Sequence, residues 1–328
     1  MTTARPVPVV LDVDTGVDDA CALLLAARHP GLELRAVTCV AGNASLDQVV
    51  ANTLLVLETA GRTDVPVAGG ARRPLLEPAR EARHVHGDDG MGDLGLPPSQ
   101  RGPDPRHAVE LLRAVLSAAA DAGEPVTLVP LAPMTNIALL LRMYPDAARG
   151  LARIVFMGGA ALVGNATAAA EFNVWHDPEA AAVVLDAAAE HGIPVTMYGL
   201  DVFYDVRVTR AEAAVLLASG DPVARLAGGL VTFQCDRFGA DDATIGDAGA
   251  VCAVLAPDGL STQGLPVRVE LAGSWTRGQT VVDQRAARTG GSIDHTHDPH
   301  GLAPAVVDVA VDVDSAGYAR LWLETVGG

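Results

Sequence analysis

Lysine is missing from this chain of 328 residues; every one of its 23 basic side chains is arginine. No Schiff-base lysine, P-loop lysine or lysine general base is therefore available. Positive charge is scarce in general. Against 40 acidic residues, the arginines leave a formal net charge of −17, which argues against nucleic acid or an anionic membrane as partner. Cysteine is sparse too. Cys21, Cys39, Cys235 and Cys252 show no CxxC or zinc-like spacing. Cys21, Cys39 and Cys252 sit in apolar patterns and read as small buried residues, not disulfide partners. No apolar run approaches a membrane span, and Met1–Pro8 carries no signal-peptide core, so the expected location is the cytoplasm.

Aromatics make up only 4% of the chain and hydrophobic residues 49%. The apolar mass is alanine, valine and leucine, enough for one large α/β domain or two smaller ones. Strand-like runs at Leu32–Val40, Val65–Ala68, Val126–Pro130, Arg153–Met157 and Val195–Gly199 alternate with helical patterns. The helices are expected over Leu46–Ala60, His107–Ala122, Asn136–Tyr144 and Pro178–Glu190, the last capped by Asp177. Helical patterns dominate 209–256, strands return at Val267–Leu271, Gln279–Val282 and Ala305–Val311, and a helix over 315–325 closes the chain. This alternation predicts an α/β fold with a mostly parallel, doubly wound sheet, helices on both faces, and a ligand site at the carboxyl edge of the strands. With no linker or repeat, residues 1–328 read as one domain. Gly69–Pro105 reads as a long ordered loop, and loops of that length in compact domains usually carry function.

The densest chemistry lies at the start. Val9-Val10-Leu11 leads into Asp12, Asp14, Asp18 and Asp19, four carboxylates within eight residues. The apolar run predicts a buried parallel strand, which would point Asp12 and Asp14 to one face, while Asp18 and Asp19 open the helical pattern Ala20–Arg28. Carboxylates this close repel and raise one another's pKa unless a cation offsets them. Hard divalent ions, Ca2+ or Mg2+, take oxygen ligands of this kind. A helix cap explains one or two of these acids but not four. Further polar residues fall just after other strands: Asn43, the stretch Leu131–Asn136, Gly158-Gly159 with Asn165, Glu171 and Asn173, and Asp201; Asp247 sits at the start of a late helix. Amides and carboxylates converging on one edge suit a polyhydroxylated ligand.

The block Asp12-Val13-Asp14-Thr15-Gly16-Val17-Asp18-Asp19-Ala20 resembles the DxDxGxDDA motif of nucleoside hydrolases, the inosine/uridine-preferring N-ribohydrolases. The similarity continues through Val40-Ala41-Gly42-Asn43, His86-Gly87-Asp88-Asp89-Gly90-Met91-Gly92, Leu131-Ala132-Pro133-Met134-Thr135-Asn136, Met157-Gly158-Gly159, Gly164-Asn165, Glu171-Phe172-Asn173 and Gly199-Leu200-Asp201-Val202. What the resemblance implies is hydrolysis of the N-glycosidic bond of ribonucleosides to ribose and free base. It implies one Ca2+ held by acids matching Asp14, Asp19 and Asp247 and by the carbonyl of Leu131, with Asp14 also activating the water on the metal. Asp18, Asn43 and Asn173 match positions that hold the ribose 2′- and 3′-hydroxyls, Asn165 and Glu171 match those at the 5′-hydroxyl, and Met157 lines the sugar. His86 falls on the substrate side, and a homodimer or homotetramer is implied as the assembly.

One departure stands out. Many relatives carry a histidine directly before the last metal-binding acid, where it gives a proton to the departing base; here that position is Gly246. His86, Gln234, Asp236, Arg237, Asp241 and Asp242 are the neighbouring candidates for that task. Two other readings compete. A catalytically weak, Ca2+-dependent ribonucleoside binder would fit the glycine, though retention of Asp14 opposes it. A haloacid-dehalogenase-like phosphohydrolase also begins with a strand and DxD, but that class normally needs a lysine for its phosphate. The remaining features are weaker. His176 reads as part of a helix entry, the run Asp294–His300 as solvated or interfacial histidines, and Asp308, Asp312 and Asp314 as the wet face of a strand.

Overall fold

A strand buried on both faces needs an uninterrupted apolar run, and Val9–Val13 comes close, broken only by Asp12. In the computed structural model, which describes residues 5–285 and 304–328, that run is the buried part of β1 (Val7–Val13). β1 pairs in parallel with β2 (Leu32–Cys39) on one side and β4 (Val126–Pro130) on the other. Beyond β2 lies β3 (Val67–Gly69); beyond β4 come β5 (Leu151–Met157) and β6 (Val195–Tyr198), all parallel. β11 (Ala305–Val313) adds to β6 in parallel, and β9 (Leu260–Val269) and β10 (Thr280–Val282) complete the nine-stranded sheet by antiparallel pairing. The winding reverses between β1 and β4. Their carboxyl ends therefore flank the switch point, where sheets of this kind open a crevice.

Helices cover both faces. Against one lie α1 (Val17–Arg28), α2 (Leu46–Thr59), α10 (Pro222–Phe238), α11 (Ala248–Leu255) and α12 (Ser315–Gly327); against the other lie α4 (Ala108–Ala122), α5 (Thr135–Met143) and α7 (Pro178–His191). Local chemistry sets their ends. Asp177 accepts a hydrogen bond from the Ala180 N–H at 3.1 Å, Pro178 follows at the first helical position, and Gly192 ends α7 in the left-handed conformation. Asp221, Pro222 and Gly239 repeat that arrangement around α10. All four cysteines are free and buried, Cys235 included.

The single-domain α/β fold with its mostly parallel sheet is the one expected, with local corrections. Helices dominate 209–256, as expected, with one short strand among them. The stretch holds α9 (Arg210–Leu217), and β8 (Asp242–Thr244) pairs with β7 (Arg207–Thr209) in a separate two-stranded sheet. Three residues per strand leave no periodicity to read. β9 starts at Leu260 instead of Val267, because the polar segment Ser261–Gly264 pairs along β11 while staying exposed. The loop from Gly69 contains one short helix, α3 (Arg83–His86). Among the described residues no helix is long and apolar enough to cross a membrane. Asp308 and Asp312 are exposed on β11, whereas Asp314 caps α12 by accepting from the Gly317 N–H at 2.9 Å. The run Asp294–His300 lies outside the described residues.

Candidate active site

Asp14 follows the last residue of β1, so strand alternation does not govern its direction. Asp12 does belong to the strand and serves the sheet: its Oδ1 accepts from Asn136 Nδ2 at 2.9 Å and from the Thr38 hydroxyl at 2.5 Å. Its Oδ2 meets no partner, and burial lifts its pKa to about 7. Asp14 is gripped by one residue, Asn43. The Asn43 N–H donates to Oδ2 at 2.7 Å and Nδ2 donates to Oδ1 at 3.1 Å. Gly42 makes that approach possible, since a Cβ there would stand 2.0 Å from Asp14 Oδ2.

Asp19, in the first turn of α1, accepts from the N–H of Asp14 at 3.1 Å and of Gly16 at 2.9 Å. Asp247 sits at the amino end of α11, almost without exposure. Oxygens of Asp18, Asp19 and Asp247 come within 4.8 Å of one another. Burial first, and the neighbouring carboxylates second, lift Asp19 to about 7 and push Asp14 and Asp247 well above the ordinary range. No arginine pairs with any of these four acids among the described residues. A buried, oxygen-only, uncompensated cluster of this kind fits a hard divalent cation. Asp14 approaches this group through Asn43, whose Nδ2 also donates to Asp19 at 3.2 Å.

Above the acids opens a cavity of about 640 Å³ lined by Asp18, Asn43, His86, Leu131, Met157, Asn165, Glu171, Asn173 and Asp247, together with residues named below. Asp14 and Asp19 lie fully buried beside it. Glu171 caps α6 (Phe172–His176): Oε1 accepts from the Asn173 N–H at 2.8 Å, and Oε2 accepts from Gly159 and Val174 at 2.9 and 3.1 Å. Burial outweighs those bonds and raises Glu171 to about 7. Asn173 Nδ2 donates to the Leu131 carbonyl at 3.0 Å and to that of Met157 at 3.2 Å. Asn165 Oδ1 accepts from the Phe172 N–H at 2.8 Å. Burial lowers the pKa of His86, at the end of α3, against the pull of Asp18 3.8 Å away, and its Nδ1 accepts from the Val17 N–H at 3.2 Å. His176 is buried at the end of α6 with its ring 5.4 Å from that of Phe172, and burial takes its pKa to about 4.

The opposite wall was not foreseen. Phe203, at the end of α8 (Leu200–Phe203), packs edge-on against Tyr204 at 5.0 Å, and both line the cavity with Trp175 and Phe238. The Arg80 guanidinium stacks on Trp175 at 4.9 Å, and Arg207 pairs with Asp242. These rings come from three separate segments; the one signal for the adjacent Phe203 and Tyr204 is that they follow β6 closely. Of the candidates near Gly246, Gln234 and Asp242 reach the cavity wall, while Asp236 pairs with Arg210 at 2.6 Å and Arg237 donates to the His84 carbonyl.

Comparison with known proteins agrees with this arrangement. Residues 9–320 match the inosine-uridine preferring nucleoside hydrolase family. The chain is 39% identical over 322 residues to a pyrimidine-specific ribonucleoside hydrolase, RihA, of an Enterobacter species, covering 97% of this chain and 96% of that one. It is 40% identical over 282 residues to the RihA of Photobacterium profundum, covering 84% and 89%. Among solved structures, a plant nucleoside hydrolase superposes with a TM-score of 0.86 at 29% identity, covering 99% of this chain and all of that one. An inosine-guanosine nucleoside hydrolase gives 0.85 at 30% identity, covering 97% and 98%. These likenesses define the class: an α/β glycosidase that cleaves nucleosides to sugar and base. Within it, the chain belongs to the inosine-uridine preferring nucleoside hydrolase family.

Proposed function

We propose that this enzyme hydrolyses the N-glycosidic bond of ribonucleosides in a Ca2+-dependent reaction, with Asp14 as general base. The observation that carries this reading is the convergence of Asp18, Asp19 and Asp247 beside a cavity of nucleoside size whose walls offer Asn43, Asn165, Glu171 and Asn173. Ca2+ would be held by Asp14, Asp19, Asp247 and the Leu131 carbonyl, and when bound it supplies positive charge that makes nearby water a stronger acid. Asp14, oriented by both amides of Asn43, takes the proton of the attacking water. Asp18, Asn43 and Asn173 hold the 2′- and 3′-hydroxyls, Asn165 and Glu171 the 5′-hydroxyl, and Met157 covers the ring; His86 borders the substrate. Carboxylates around the sugar stabilise the positive charge that develops on the ribosyl group. The family match removes the phosphohydrolase reading. Gly246 keeps a second one in view, a Ca2+-dependent nucleoside binder with weak turnover. We assign a homodimer or homotetramer as the assembly, which light scattering reads directly.

A panel of ribonucleosides, assayed for reducing sugar and free base with Ca2+ and with chelator, tests the proposal. Release from at least one nucleoside, lost on chelation and restored by Ca2+, is expected. Tight calcium-dependent binding without release would establish the binder instead.

A further inference from the structure

Gly246 is not an empty place where a proton donor could be restored. Its φ is +54°, and a Cβ built there would stand 2.6 Å from Asp18 Cβ and 3.0 Å from Phe203 Cζ. The Phe203 ring already fills the direction a side chain would take. The other groups on this wall are committed. Asp242 is held ionised by Arg207. His86 uses Nδ1 to accept from Val17, so a second ring proton would break that bond. Burial raises the pKa of Tyr204, which makes its phenol a poor acid, and His84 is exposed at the rim. Gln234 can donate a hydrogen bond through its amide but is no acid. What remains among the described residues is aromatic surface and negative charge. Along the lining, five acids (Asp18, Glu81, Glu171, Asp242, Asp247) face two arginines (Arg80, Arg207), with Arg83 pairing Glu81 from outside, and Asp14 and Asp19 lie beside them. A divalent ion leaves the acids in excess, and rings such as Phe203, Tyr204 and Phe238 attract cations across their faces.

We propose, building on the ribonucleoside hydrolase reading, that the described residues provide no acid for the leaving group and that the enzyme prefers ribosides of positively charged heterocycles, purines alkylated at N7 or pyridinium rings. In such a substrate the C1′–N bond breaks with its electron pair passing to the cationic ring, which departs neutral. The water oxygen bonds to C1′, and its proton goes to Asp14 and then to solvent. No proton is needed on the base.

The test compares kcat/KM of the Ca2+-loaded enzyme for inosine and N7-methylinosine across pH values below the N1–H ionisation of either ring, where the methylated ring is a cation, with N-ribosylnicotinamide as a pyridinium probe. General acid catalysis contributes about 10²–10⁴-fold, so both cationic substrates are expected to exceed inosine by on the order of 10²-fold or more, with no alkaline limb peculiar to inosine. Tyr204→Phe, His84→Gln and His86→Gln should each change the rates for inosine and N7-methylinosine by one common factor. Similar kcat/KM values for the matched pair, an alkaline limb for inosine alone, or a variant that loses inosine selectively would overturn the inference while leaving the hydrolase reading intact. No hydrolysis of the three alongside release from another ribonucleoside of the panel would overturn the inference alone, and no release from any ribonucleoside would remove both.

Discussion

Asn43 is the residue through which the acids are assembled: its main-chain N–H and its amide nitrogen both donate to Asp14, and the amide nitrogen also reaches Asp19. Asp14 thereby keeps its orientation although it stands on a turn and not within a strand. Replacing Asp14 by Asn or Ala is expected to reduce kcat by about 10²–10⁴-fold, the range for a lost general base. Asp14→Asn conserves volume but gives up one of the two oxygens that accept from Asn43, so a folded protein with a modestly lower melting temperature should accompany the loss. Near-normal turnover in either variant would place the base elsewhere. Residue identity at these positions was legible because carboxylates and amides fall directly after apolar runs. The neighbours of each were not. Nothing in the sequence says that Glu171 spends both oxygens on the amides of Gly159, Asn173 and Val174, or that Asp12 is turned toward Asn136 and Thr38.

At the level of elements, boundaries written in cap chemistry were readable and those without it were not. Asp177-Pro178 and Gly192 announce α7 at both ends. β7 and β8 announce nothing, being three residues each and joined only to each other. Phe203 and Tyr204 come from the short turn after β6 and Phe238 from the far end of α10; their meeting around one cavity depends on tertiary packing that no local period encodes. Asp177 also ties elements together. Besides capping α7, it accepts from the Thr135 hydroxyl at 2.6 Å, at the start of α5, and from the Leu75 N–H at 2.9 Å in the long loop. Removing this buried carboxylate by Asp177→Ala leaves several donors unsatisfied and should destabilise the fold by roughly 2–4 kcal/mol. A urea midpoint lowered without a change of slope is the expected signature; an unchanged midpoint would mean that water replaces the carboxylate at little loss.

Across the whole molecule, the notable quantity is stored protonation. In the absence of a metal, Asp12, Asp19 and Glu171 titrate near about 7, and Asp14 and Asp247 well above the ordinary carboxyl range. The unfolded chain releases these protons around the normal carboxyl pKa of about 4. Between there and about 7 the folded chain binds more protons than the unfolded one, so stability falls as pH rises through that window. A tenfold difference in proton affinity between the two states corresponds to about 1.4 kcal/mol. Thermal midpoints measured in chelator should therefore drop between about pH 5 and pH 8. Calcium should raise the midpoint more at the higher pH, because ligands already deprotonated bind without releasing protons. A midpoint that climbs with pH in chelator would contradict this account.

The last helix also reaches the chemistry. Trp322, fully buried on α12, donates its indole N–H at 3.1 Å to the carbonyl of Cys21, one turn below Asp18 and Asp19 on α1. α12 thus braces the helix that carries Asp18 and Asp19. No residue of α12 lines the cavity, yet a change at Trp322 would be felt there through α1.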